Sequence, residues 1–189
     1  MTTKTHPDIA SVRLTAHDIA CRVNELAEQL SKDYQGKDVV LVGVLTGSAI
    51  FIADLVRAMS IPVAFDFLSV GSYGPDAKIS GVVKILKDLD APVESRHVVL
   101  VEDVLNPAMS RRAEYLADVM RARRVASVRI CTLLQKPAGD KKADVMLTPD
   151  YCGFTIDAPY VVGYGLDYLG NYRTLPYIGI LKPEVYGGG

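Results

Sequence analysis

The chain has 189 residues, 49% hydrophobic and 23% charged, an ordinary globular composition that suits one domain with at most a small appended lobe. Its 21 basic and 22 acidic side chains leave a net charge of −1, so no electrostatic reason exists to expect nucleic acid or an anionic membrane as partner. Three cysteines (Cys21, Cys131 and Cys152) without CxxC spacing, an opening "MTTKTHPDIASVRL" with no signal-length apolar core, and no bilayer-length apolar run predict a soluble, cytoplasmic protein.

Residues 15–34 have helical period, with Ile19, Val23, Leu26 and Leu30 on one face. Thr15 and Asp18 resemble a capping box, and Gly36 is a plausible stop. "DVVLVGVL" (38–45) is a continuous apolar run, as in a strand covered on both faces. "TGSAIFIADLVRAM" (46–59) returns to helical period. "PVAFDFLSV" (62–70) predicts a strand, and "GSYGPDAKISG" (71–81) a long polar loop. Strands follow at 82–88 and 95–103, then a helix at about 108–122 and a strand at about 125–134.

This alternation predicts an α/β fold, a parallel sheet flanked by helices on both faces. Residues 137–176, rich in turns, tyrosine and proline, read as a small lobe. "YIGILK" (177–182) reads as a closing strand of the core. The expected layout is therefore one domain over 1–189. Its core covers about 38–136 and 177–182, and the N-terminal segment and about 137–176 form a hood.

Ligands of open α/β sheets sit beyond the carboxyl ends of the strands. Three such ends carry chemistry: Leu45-Thr46-Gly47, Glu102-Asp103 and Leu134-Gln135-Lys136. Two acids after an apolar run could accept ribose hydroxyls or hold Mg²⁺ through water, or they could be a solvated strand end. The turn after them leads into a helix start, where unpaired amides favour phosphate. Thr46-Gly47-Ser48 reads as an N-cap turn, a pyrophosphate site, or both. Ser72 and Tyr73 lie in the long loop, which could be a lid. Tyr160 could be core or a platform for a flat base. Asp167 and Arg173 could be a plain ion pair, or a metal contact and a pyrophosphate clamp.

"GVLTGSAIFIADLVR", "GSYG", "SGVVKILKDLD", "HVVLVEDV", "LLQKP" and "YVVGYGLDYLGNYRTLPYIGILKPEVY" together resemble the hypoxanthine/guanine phosphoribosyltransferases of purine salvage. The resemblance implies the type I phosphoribosyltransferase fold, a core under a small hood. It implies transfer of 5-phosphoribose from phosphoribosyl pyrophosphate to hypoxanthine or guanine, with Mg²⁺ as cofactor. It also implies a homo-oligomer, dimer or tetramer. On it, Glu102 and Asp103 would hold the ribose hydroxyls and contact metal, and Thr46-Gly47 would form the pyrophosphate loop, often with a cis peptide. Ser72 and Tyr73 would lie on the lid. Lys136 would donate to the purine 6-oxo group, Tyr160 would stack on the base, and the Val161 backbone would read its edge. Asp167 would face Mg²⁺ and Arg173 would reach pyrophosphate. Ala108 and Ser110 would lie on the 5′-phosphate loop.

That loop departs from the resemblance. Asn106 stands where the family has the aspartate that takes the proton from purine N7, and an amide cannot do so at neutral pH. Pro107 replaces a hydroxyl residue and removes one N–H. Asn-Pro is instead a good helix start, with Asn106 as N-cap bonding to the Met109 amide or its neighbour. Arg111 and Arg112 could supply the missing positive charge or point to solvent. Asp140 stands where many members place an arginine. Three functions follow: a purine phosphoribosyltransferase of reduced activity, a catalytically weak paralogue that binds purine nucleotides as a regulatory module, or a transferase for an acceptor needing no base.

Overall fold

Thr15 accepts a hydrogen bond from the Asp18 amide, and Asp18 accepts one from the Thr15 amide, so the capping box forms. The structure, a computed structural model, describes residues 5–72, 83–137 and 147–187. Its elements are β1 (Ile9–Leu14), α1 (Ala16–Asp33), β2 (Val39–Leu45), α2 (Ala49–Ala58), β3 (Ala64–Ser72), β4 (Val83–Lys87) and β5 (His97–Leu105). Then come α3 (Pro107–Ala122), β6 (Ser127–Gln135), β7 (Tyr151–Thr155), β8 (Val161–Val162), β9 (Ile178–Leu181) and the short α4 (Pro183–Tyr186).

The larger sheet runs β4-β3-β2-β5-β6-β7. All its pairings are parallel except β4 against β3, so one edge is antiparallel. Apolar β2 sits at the centre, where it is covered on both faces as its composition requires. Val39, Leu41, Val99 and Val101 pack with α1 and α2. Val40, Val42, Val98 and Leu100 pack with α3. Period-two alternation thus splits each strand between two cores, and helices cover both faces as expected. Among the described residues, no helix is long and apolar enough to cross a membrane.

Two strands are not where the sequence placed them. Residues 151–155, expected in the hood, extend the large sheet as β7, parallel to β6. Strand β9, expected to close the core, pairs antiparallel with β1 and β8 in a separate three-stranded sheet ordered β1-β9-β8. The physical reason is that β9 is apolar on both faces. Ile178 packs into the α1/α2 core, whereas Leu181 packs with Ile9, Val162 and Tyr177 in a small core of its own. That pattern serves either sheet equally well, so it does not select the partner.

Ile178 has no exposed surface and ties the small sheet to the large core. Ile178→Ala should cost about 2–5 kcal/mol of stability through the cavity it leaves. Urea denaturation measures this, and an unchanged midpoint would remove Ile178 as the tie.

Candidate functional site

The order β2-β5-β6 sets three strand ends side by side, so Thr46-Gly47, Asp103 and Lys136 become neighbours. Strand β5 continues through Leu105, two residues beyond the predicted boundary, and so both acids lie within the strand. Alternation then sends them to opposite faces. Glu102 points to α3 and Asp103 to the loop after β2.

Glu102 is 1% exposed. Its Oε2 lies 2.9 Å from Arg112 Nη2, on the second turn of α3. Its Oε1 and the Arg112 Nε are buried with no hydrogen-bond partner. Burial pushes the Glu102 carboxyl up to about 8, against the pull of Arg112. Arg112 is therefore turned inward as a counter-ion, while Arg111 is exposed. The bland reading of the two acids, a solvated strand end, does not hold. Glu102 is not among the residues lining the cavity described below.

Asp103 is on the other face. Burial raises its carboxyl, while the Val104 amide bond and the charges of Arg112 and Arg173 oppose that rise. Gly47 lies directly against it, and a Cβ there would fall on the carboxylate. Gly165, with φ of 98°, closes on the Gly47 carbonyl in the same way. Arg173 donates from Nη1 to the Gly165 carbonyl at 2.6 Å, and its Nη2 pairs with Asp167 at 2.7 Å. Asp167 also accepts from the Gly170 amide at 2.7 Å. The loop after β2 has a cis peptide at Leu45–Thr46. Thr46 is exposed. Ser48, the N-cap of α2, gives its hydroxyl to the Val44 carbonyl and so leaves the helix start without a side-chain cap.

These groups border a cavity of about 340 Å³ lined by Asp103, Val104, Asn106, Lys136, Tyr160, Val161, Leu166 and Asp167. That volume suits a small aromatic ligand. Lys136 follows β6, its amide bonded to the Leu105 carbonyl, and burial lowers its ammonium below the usual lysine range, partly offset by Asp157. Tyr160 has φ of 34° and a half-exposed ring. Val161 is buried beside it as the first residue of β8. A larger depression of about 680 Å³ lies between α1, α2 and Thr174-Leu175-Pro176. Its Asp54 is bound to both Arg57 and the Tyr164 hydroxyl, so it offers no comparable chemistry.

Asn106 is the N-cap of α3 and Pro107 its first residue, as Asn-Pro predicts. Asn106 Oδ1 accepts from the Met109 amide at 2.9 Å. The Ser110 amide and hydroxyl both bond to the Asn106 carbonyl, and Ser110 Oγ accepts from the Leu147 amide. Ser110 is fully buried, and its hydroxyl braces the start of α3 against Leu147. Ala108 lies in the first turn of α3. Ser72 ends β3, whereas Tyr73 and Asp140 lie outside the described residues. The sequence reading did not single out Val104 and Leu166, apolar cavity residues that look like any core position. It left open the direction of Arg112, which nothing local signals.

Residues 13–168 match the phosphoribosyl transferase domain family. A hypoxanthine-guanine phosphoribosyltransferase of Mycobacterium tuberculosis is 45% identical over 185 residues, covering 95% of this chain and 89% of that protein. The bifunctional protein TilS/HprT of Listeria innocua is 43% identical over 96% of this chain, which spans only 27% of that longer relative. A crystal structure of a hypoxanthine phosphoribosyltransferase from Staphylococcus aureus superposes with a TM-score of 0.88 at 43% identity, covering 98% of each chain.

The Glu102–Arg112 pair generates one test of this geometry. Arg112→Met leaves the buried Glu102 without its partner and should destabilise the chain increasingly as pH rises through about 8, where the unpaired carboxyl would have to ionise, reaching about 3–5 kcal/mol, and Glu102→Met with Arg112→Met together should recover most of it. Chemical denaturation of the singles and the double decides the matter. If Arg112→Met unfolds no more easily than the parent, the pair is not the buried lock described above.

Proposed function

The chain belongs to the phosphoribosyl transferase family, and on that footing we propose that it transfers 5-phosphoribose from phosphoribosyl pyrophosphate to hypoxanthine or guanine. The observation that carries this reading is the 340 Å³ cavity in which Lys136, Tyr160 and Val161 face Asp103 and Asp167. A purine fits between the Tyr160 ring and the apolar wall, with the Lys136 ammonium as donor to its 6-oxo oxygen. The Val161 backbone reads the base edge. Asp103 accepts from the ribose hydroxyls. The Thr46-Gly47 backbone and Arg173 receive pyrophosphate. In the reaction the bond from ribose C1′ to pyrophosphate breaks, and a bond from C1′ to purine N9 forms. Negative charge grows on the departing pyrophosphate, where fixed donors lower the barrier. Ser72 and Tyr73 are proposed for the lid that excludes water.

Asp103 and Asp167 fit Mg²⁺, an ion that commonly takes one or two protein carboxylates and fills its shell from substrate phosphates and water. When bound, the ion neutralises charge on pyrophosphate. A cytoplasmic setting and a homo-oligomeric state are part of the same proposal.

The loop at α3 sets the level of activity. Pro107 has no N–H, and the Met109 and Ser110 amides are already bonded to Asn106. That leaves at most the Ala108 amide for a 5′-phosphate in this first turn. Asn106 lines the cavity but cannot accept the proton from purine N7. A second reading, a purine-nucleotide-binding regulatory module, draws on these two facts.

A missing general base typically costs about 10²–10⁴-fold in rate. Asn106→Asp with Pro107→Thr should therefore raise pyrophosphate release and exceed the sum of the single gains, because an aspartate before proline is biased away from helical angles. An acidic limb absent from the parent should appear in the pH–rate profile as the new carboxylate is protonated. Pyrophosphate release with each purine, for parent, singles and double, tests both readings. A double variant that folds and binds nucleotide but stays inactive supports the regulatory module.

Lys136 yields a pH test. Burial holds its ammonium below the ordinary lysine range, so the charged donor is lost as pH rises, earlier than for a free lysine. Affinity for a purine 5′-monophosphate should fall on the alkaline side in the parent, and Lys136→Met should bind more weakly with that dependence gone. Identical alkaline profiles in calorimetry would exclude Lys136 as the donor.

A further inference from the structure

The base platform is itself braced. The Tyr160 ring lies 3.9 Å, centroid to centroid, from the ring of Tyr186, with 23° between the planes. Tyr168 meets Tyr160 edge-on at 5.9 Å and 89°. Tyr160 lines the cavity and Tyr186 does not, so Tyr186 covers the ring face turned away from it. Tyr186 ends the short helix α4, which Pro183 starts directly after β9. It packs with Tyr168 against the small core of Ile9, Val162, Tyr177 and Leu181. The Tyr160 carbonyl accepts from the Leu181 amide at 3.1 Å, so the backbone of the platform is tied to the strand that leads into α4.

Tyr160 is 47% exposed and so has little protein around it to fix its ring. A half-exposed side chain keeps its rotamer freedom unless a neighbour removes it, and freedom lost on binding weakens the ligand. An offset aromatic stack on one face and an edge contact from another ring remove it in advance.

We infer that Tyr186 is a positioning residue for the purine, holding the Tyr160 ring from behind so that a bound base completes a three-layer stack of base, Tyr160 and Tyr186. The inference rests on the purine-transfer reading above. Its consequence is a split between substrates. Tyr186 acts on the base half of the site and leaves the sugar-pyrophosphate half alone.

The test uses Tyr186→Phe, which keeps the ring, and Tyr186→Leu, which keeps apolar bulk and removes it. The Leu variant should raise KM for the purine about 3- to 10-fold, the range an aromatic pair is worth. KM for phosphoribosyl pyrophosphate should stay at the parent value, and the Phe variant should behave as the parent. In a Tyr160→Leu background, Tyr186→Leu should change purine KM no further. A purely structural role predicts equal losses for both substrates and a lower melting temperature, and that result overturns the inference. So does an unchanged purine KM in the Leu variant. Should the Leu variant fail to fold, Tyr186→Trp gives the chain its only tryptophan. Its emission should respond to a purine 5′-monophosphate and not to ribose 5-phosphate, and a response to neither or to both overturns the inference. A parent that neither binds nor converts any purine sinks the transferase reading, and this inference with it. An active parent indifferent to Tyr186 sinks only the inference.

Discussion

The Asp103 carboxylate lies so close to Gly47 that no side chain fits between them, and the rest of the site is arranged around that contact. Gly47 in turn presses its carbonyl on Gly165, and Gly165 receives Arg173, which holds Asp167. Three segments distant in sequence, at Gly47, at Asp103 and from Gly165 to Arg173, are thus brought together through two positions without side chains. The contact is possible only because β2 and β5 are parallel neighbours whose ends emerge together. Parallel pairing fixes where the chemistry is, and glycine fixes how closely its parts approach.

Asp103 has a twin with a different fate. Glu102, one residue away, faces the opposite side of the strand and is sealed under α3 with Arg112. Adjacent acids look equivalent in a sequence, yet a strand makes neighbours into opposites. The same helix carries the Asn106 cap, whose side chain satisfies the Met109 amide at the helix start. Helix start and phosphate site compete for the same donors, and in this chain the helix holds most of them.

Much of this was legible beforehand. The spacing of Ile19, Val23, Leu26 and Leu30 set out α1, and the run 38–45 set out the buried central strand. Asn-Pro announced the start of α3 with its capping partner. The cavity unites Asp103, Asn106, Lys136, Tyr160, Val161 and Asp167, all singled out from motifs at strand ends or by resemblance. What stayed hidden depended on pairing across distance. Strand β9 suits either sheet by its own pattern, and Arg112 reveals its partner only once α3 lies on β5. Tyr186 looked like an ordinary C-terminal aromatic until α4 brought it under Tyr160.

The small sheet also imposes an order on the molecule's making. Strand β1 and its hydrogen-bonding partner β9 are separated in sequence by all the other strands. On the ribosome β1 must wait for that partner until the strands of the large sheet have been made, while β2, β3, β5 and β6 can pair as they emerge. Tyr160, anchored to β9 through its carbonyl and backed by Tyr186, is therefore among the last parts of this domain to take its place. A nascent chain thus acquires the Asp103 side of the cavity before its Tyr160 side.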